Sequence, residues 1–182
     1  MKVFNTPINE CIVIEPKVFF DERGYFFESF NERVFEEKTG LNVRFIQDNQ
    51  SKSSKGVLRG LHYQRGKYQQ AKLVRVLQGE VLDVVLDLRK DSSTYGKHFT
   101  QVLSDENFTQ VYIPRGCAHG FIVKSETAIF SYKCDNVYNK ESEGGIIYND
   151  PSLGIDWEYD LNEVIVSDKD KDLPLFINAL PI

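Results

Sequence analysis

The feature that most constrains this chain is a succession of short apolar and β-branched runs, each closed by turn residues, with a single helical pattern among them. Gly24–Phe30, Val43–Gln47, Ala71–Leu77, Val81–Leu88, Phe99–Leu103, Thr109–Ile113 and Ala128–Cys134 read as strands. Asp21–Gly24, Lys90–Ser93 and Ser104–Asn107 read as turns. Such spacing predicts an all-β sandwich or barrel. The 13 Phe and 9 Tyr among 182 residues agree, because aromatic side chains suit a half-buried pleated surface. One helix is predicted near Asn31–Lys38, with Asn31 as its cap, Val34, Phe35 and Lys38 on neighbouring turns, and Gly40 as its end. With no internal repeat, low-complexity tract or Pro/Gly/Ser-rich linker, residues 1–182 are expected to form one domain.

Charge and cysteine content narrow the function. The formal net charge is −5, whereas sequence-independent nucleic-acid binding needs a basic footprint. A local basic pocket for a phosphorylated small molecule is still compatible with 22 Lys and Arg. Cys11, Cys117 and Cys134 are odd in number and contain no C-x-x-C pair, which fits a reducing compartment rather than a disulfide framework. The opening MKVFNTPINE lacks the apolar run of a signal peptide, and no segment approaches the ~18 apolar residues of a membrane span. A cytoplasmic protein without membrane partners is expected.

Strand parity sorts the candidate side chains, since alternate residues face opposite sides. In Ala128–Cys134 the even positions Ala128, Phe130, Tyr132 and Cys134 form the apolar face, so Tyr132 is expected to point inward. Lys72 shares a face with Val74 and Val76, which puts a cation at the mouth or inside of the barrel. Asp83 is a candidate partner for Lys72 across a hairpin at Gln78–Gly79.

The segment richest in chemistry is QDNQSKSSKGVLRGLHYQ, Gln47–Gln64. Arg59 offers a fork suited to phosphate, and His62, with a reference pKa of ~6.5, is a natural general base. The Pro-x-Gly turn in PRGCAH is expected to deliver His119 at the start of the following strand, Gly120–Lys124. Each signal has a plain structural alternative. A strand histidine is commonly a satisfied structural group, as His98 is expected to be; Tyr132 can be core; Asp168 and Asp170, in SDKDKD, read as a solvated charge run. Arg59 and His62 are three apart, so a regular strand would put them on opposite faces; if both line one pocket, the backbone near Gly60 must be irregular.

Taken in order, DERGYFFESF, QDNQS, LRGLHYQ, AKLVRVLQGEV, IPRGCAHGF, YKC, NDPSLGIDW and SDKD, spread from Pro16 to Phe176, resemble the dTDP-4-dehydrorhamnose 3,5-epimerase family. The resemblance implies a cupin-like double-stranded β-helix, or jelly roll, usually a homodimer, acting without cofactor or metal on a thymidine-diphosphate 4-keto sugar. It implies His62 as the base, Asp170 as the group that orients it, Lys72 beside the ketone oxygen and Tyr132 as the proton donor. Contacts to the nucleotide and phosphates are implied for Arg23, Glu28, Gln47, Asp48, Asn49, Arg59, His119, Glu143 and Lys169, the first two across the dimer interface. Tyr138 resembles the tyrosine that stacks on the nucleobase. Relatives commonly read DNHS where this chain has Asp48-Asn49-Gln50-Ser51, so Gln50 replaces a histidine; neither it nor Cys117 is given a role.

These residue types suit an epimerisation. A ketone at carbon 4 acidifies the hydrogens on carbons 3 and 5, and inversion needs a base on one face and an acid on the other. A cation at the developing oxyanion commonly contributes ~10²–10³ in rate. Three rivals stand beside this reading. A metal-dependent cupin oxygenase would match PRGCAH, but His62-Tyr63-Gln64 lacks the second histidine of an H-x-H pair, and Lys72 stands where a ligand Glu is expected. An enzyme inverting only carbon 3 or carbon 5, or a ketoisomerase, would use the same base and lysine. A non-catalytic sugar-nucleotide binding module would not need His62, Lys72, Tyr132 and Asp170 together.

Overall fold

In the computed structural model, which describes residues 1–180 and 182, two antiparallel sheets face each other. One has six strands: β1 (Lys2–Asn5), β2 (Ile12–Glu15), β10 (Gln110–Ile113), β7 (Lys72–Gln78), β12 (Thr127–Cys134) and β5 (Gln47–Ser54), in that spatial order. The other has five: β13 (Glu143–Gly145), β6 (Leu58–Gln64), β11 (Cys117–Val123), β8 (Glu80–Asp87) and β9 (His98–Ser104). A separate ribbon pairs β3 (Phe19–Asp21) with β4 (Gly24–Phe26). This is the cupin-like jelly roll that the motifs imply.

Alternation along the strands builds the core. Val74 and Val76 of β7, Val111 and Ile113 of β10, and Ala128 and Phe130 of β12 meet Val81 and Val85 of β8, Leu103 of β9, and Phe121 and Val123 of β11. Full burial of an aliphatic side chain of this kind is worth about 1.5–3 kcal/mol. The outer face of the five-stranded sheet, through Leu82, Val84 and Leu86, is covered by Ile146 and Trp157. On the outer face of the six-stranded sheet, Ile12, Ile14, Leu73 and Tyr112 pack on Phe35 of helix α1 (Glu32–Thr39). The Asn31 side chain caps that helix by accepting from the Val34 N–H at 3.2 Å, and Gly40 closes it at φ 72°, as read from the sequence.

Several strand boundaries differ from the sequence reading. Val43–Gln47 is not a strand; β5 begins at Gln47 and runs through the polar residues to Ser54. It is an edge strand, paired only with β12, and its alternate residues Gln47, Asn49 and Ser51 line the polar cavities described below rather than the apolar core. The run from Gly24 ends as a strand at Phe26, and β11 starts at Cys117, so His119 lies inside the strand rather than at its start. The Lys72–Asp83 hairpin is also absent. β7 and β8 are consecutive but belong to opposite sheets, joined through Gly79 alone, and Asp83 bonds to His119 instead. Gly79 has φ 80°, and a Cβ there would collide with the Thr127 carbonyl.

Candidate active site

Strand β6 carries Arg59 and His62. His119 lies opposite His62 and Phe121 opposite Arg59, so three steps along β6 match two along β11. The extra residue is a bulge at Gly60, whose φ of 118° suits glycine. An added Cβ at Gly60 would come within 2.6 Å of Gly120 Cα. The bulge changes the phase of the strand, and Arg59 and His62 line one cavity, the irregularity anticipated from their spacing. Arg59 is oriented from β5, where the buried Ser53 hydroxyl accepts from Nε at 3.2 Å and Nη2 at 3.1 Å.

That cavity, about 550 Å³, also receives Lys72, His119, Tyr132, Lys169 and Asp170. His62 Nε2 lies 2.7 Å from Asp170 Oδ1, and the Gly60 N–H donates to Asp170 Oδ2 at 3.3 Å. Burial alone would raise the Asp170 carboxyl; the bonds from His62 and Gly60 outweigh it and hold the group below the ordinary aspartate range. Asp170 is buried because Ser167 caps a one-turn helix, α2 (Asp168–Lys171), against β6, while Asp168 stays in solvent. One member of the charge run, Asp170, is thus interior, while Asp168, Lys169, Lys171 and Asp172 stay exposed. With Asp170 accepting at Nε2, the neutral His62 ring carries its proton there and leaves Nδ1 as the free lone pair.

Tyr132 lies on the inward face of β12, as parity implied, with Phe130 and Cys134 buried beside it. Burial raises its hydroxyl pKa, so it stays protonated at neutral pH. The Lys72 ammonium sits 5.8 Å from the Tyr132 ring centroid. Burial lowers the lysine's proton affinity, and the neighbouring Cys134, Asp83 and Glu143 act in the opposite sense. His119 is buried, with Nε2 2.7 Å from Asp83 Oδ1.

His62, Lys72 and Tyr132 also line an adjoining cavity of about 180 Å³ with Gln47, Asn49, Tyr138 and Glu143. Glu143 accepts from Lys169 at 2.6 Å and from the Tyr138 hydroxyl at 3.1 Å. Burial works to raise the Glu143 carboxyl, but those two bonds prevail and lower it. Tyr138 is 53% exposed, an open ring face at the rim.

Three of the residues singled out in the sequence do not reach either cavity. Asp48 faces the other side of β5, where Lys133 donates to both its oxygens at 2.9 and 3.1 Å. Arg23 is at the tip of the β3–β4 ribbon, bound to Asp21. Glu28 lines a separate cavity beside α1 and accepts from Asn31 at 3.1 Å. Conversely, Ser51, Ser53 and Ser167 around the main site escaped the sequence reading; alternation along β5 would have exposed the first two had that polar run been taken as a strand. Among the described residues no group of three or more His, Cys, Asp or Glu is arranged to hold a metal ion, and no helix is long and apolar enough to cross a membrane.

Comparison with known proteins agrees with this geometry. Residues 5–178 match the family model described as dTDP-4-dehydrorhamnose 3,5-epimerase. A dTDP-4-dehydrorhamnose 3,5-epimerase of Shigella flexneri is 52% identical over 179 residues, covering 98% of each chain. The crystal structure of the enzyme of that name from Elizabethkingia anophelis is 59% identical and superposes with a TM-score of 0.93 over 97% of both chains. The dTDP-6-deoxy-D-glucose-3,5-epimerase of Legionella pneumophila, solved with dTDP-4-keto-L-rhamnose, is 50% identical with a TM-score of 0.91, covering 96% of this chain and 92% of that one. Fold, motif order and extent of match converge on one assignment: the chain belongs to the dTDP-4-dehydrorhamnose 3,5-epimerase family.

Proposed function

We propose that this chain, acting as one catalytic domain in the cytoplasm, inverts carbons 3 and 5 of dTDP-4-dehydro-6-deoxy-D-glucose to give dTDP-4-dehydro-L-rhamnose, a step of dTDP-L-rhamnose synthesis. The observation that carries the reading is the convergence of the His62–Asp170 pair, Lys72 and Tyr132 on one cavity.

His62 Nδ1 removes the proton from carbon 5 or carbon 3 of the keto sugar. The imidazolium that forms is stabilised by Asp170, which also fixes the tautomer of the resting ring. Charge passes to the oxygen on carbon 4, where the Lys72 ammonium meets it in a water-poor setting that strengthens the interaction. Tyr132 then delivers a proton from the other face. No net oxidation occurs, so the step balances without a redox partner. Arg59 and Lys169 hold the diphosphate, His119 and Gln47 and Asn49 hold polar groups of the ligand, and the exposed ring of Tyr138 stacks on the nucleobase.

The same reading gives Arg23 and Glu28 a place. Phe19, Phe20, Tyr25 and Phe26 on the β3–β4 ribbon are 52–71% exposed, an apolar surface of the kind that marks an interface. We infer a homodimer in which this ribbon carries Arg23 and Glu28 to the partner's cavity, with Asp48 serving the ligand only through its neighbours on β5.

Incubation with dTDP-4-dehydro-6-deoxy-D-glucose in deuterium oxide tests the function. Deuterium at both carbons 3 and 5 of an L-configured product is expected. Label at one carbon would identify a single-centre epimerase, and tight binding without exchange a binding module.

A further inference from the structure

Asp83 is 1% exposed, yet its carboxylate is only half satisfied: Oδ1 lies 2.7 Å from His119 Nε2, and Oδ2 is buried with no partner among the described residues. The pairing follows from the strand register. Asp83 lies opposite Phe121 on β11 and His119 opposite Val85 on β8, which makes the two diagonal neighbours on one face. The imidazole is walled by Phe130, stacked at a centroid distance of 5.8 Å and an interplanar angle of 25°, and by Phe121 at 6.5 Å. Its plane is therefore set by apolar packing, and what remains to be set is which nitrogen carries the proton. The ring lines the main cavity, and Nδ1 has no hydrogen-bond partner in the chain among the described residues.

We propose that Asp83 is a positioning residue that keeps the proton of His119 on Nε2, so that Nδ1 accepts a hydrogen bond from a hydroxyl of the hexose brought against His62. An ionised carboxylate is acceptor-only and selects the N–H tautomer it faces. Burial of the ring disfavours the imidazolium, and the ammonium of Lys72 and the nearby His62 add to that effect against the opposing pull of Asp83. A neutral ring with Nδ1 bare recognises a donor, and a hexose offers donors only as hydroxyls. The site then prefers sugars bearing a free hydroxyl at that carbon over their deoxy or O-methyl counterparts. This inference rests on the sugar-nucleotide reading above.

The test uses protein labelled with ¹⁵N-histidine, with His98→Gln to help assign the three histidine signals. At neutral pH the His119 ring is expected as the neutral Nε2–H form in the wild type. In Asp83→Asn the amide turns its NH₂ to Nε2, because the alternative leaves a buried donor unpaired, and the proton moves to Nδ1. The variant is then expected to lose roughly tenfold in kcat/KM. With the wild type, one of the 2-deoxy and 3-deoxy analogues should bind roughly tenfold more weakly than the parent sugar nucleotide, and that discrimination should vanish in Asp83→Asn. If the variant does not fold, the wild-type spectrum and the two analogues still decide. A wild-type His119 found as imidazolium or as the Nδ1–H tautomer overturns the proposal, as does equal binding of parent and both analogues. Deuterium wash-in by the wild type, run beside these measurements, separates failure of this inference from failure of the epimerase reading.

Discussion

Asp170→Asn removes the anion while keeping the size of the side chain, and it isolates the most specific element of the site. Two interactions change. The 2.7 Å contact to His62 loses its charge, and the Gly60 N–H keeps only a neutral acceptor at 3.3 Å. A charge-assisted bond contributes about 1.5–3 kcal/mol, and each ~1.4 kcal/mol is a factor of ten, so losing the imidazolium's counter-ion costs about 10–100-fold in the proton-abstraction step. A second loss follows from the tautomer. The Asn amide can turn its NH₂ toward Nε2, which puts the ring proton on Nδ1 and blocks the lone pair proposed to remove the sugar proton. In a buried triad the equivalent change lowers kcat by about 10⁴. The His62 side chain is 31% exposed, which favours exchange between tautomers, so the combined effect is expected near 10²–10³ in kcat. KM should change little, because Asp170 acts through His62. The assay is the rate of deuterium incorporation from solvent into the keto sugar, read by mass spectrometry in a single turnover. A kcat within twofold of the wild type, in a folded variant, would refute the dyad.

Other substitutions separate the remaining roles. Tyr132→Phe should keep proton exchange at the carbon first attacked but lose inversion by about 10²–10⁴, seen as label without L-configured product. Lys72→Met should lower kcat by about 10²–10³ with a smaller change in KM, measured with the parent substrate. Gly60→Ala forces a Cβ to within 2.6 Å of Gly120 Cα at a positive φ, and denaturant unfolding should show a loss of at least ~3 kcal/mol. The carboxyls of Asp170 and Glu143 are lowered in the folded state, so the stability they confer is full only above ~pH 5 and is lost as pH falls through their folded values; Asp170→Asn should flatten that acid limb in thermal melts.

What could be read from the residues alone followed from periodicity. Tyr132 could be aimed inward because Ala128, Phe130 and Cys134 share its parity, and the helix could be bounded because Asn31 and Gly40 are local capping signals. The conflict between Arg59 and His62 was visible for the same reason, and the bulge at Gly60 is its resolution. What escaped depends on the tertiary fold. β5 is polar because its alternate residues Gln47, Asn49 and Ser51 line the site cavities, so its composition resembles a loop. Asp170 looks like solvent-facing charge until α2 docks on β6. The pairing of Lys72 with Asp83 failed because adjacency in sequence does not say whether two strands share a sheet; here a single glycine carries the chain across the gap.

That crossing at Gly79 has a consequence for traffic. Beyond Phe121 and Phe130 the space between the sheets is plugged by Val76, Val81, Leu103, Val123 and Ala128, so the vessel is stoppered at the Gly79 end. Ligand traffic is left to the rest of the cavity, whose exposed rim includes Lys169 and Tyr138. Newly made product therefore occupies the doorway the next molecule needs, and turnover in the cell should quicken when a downstream enzyme clears it.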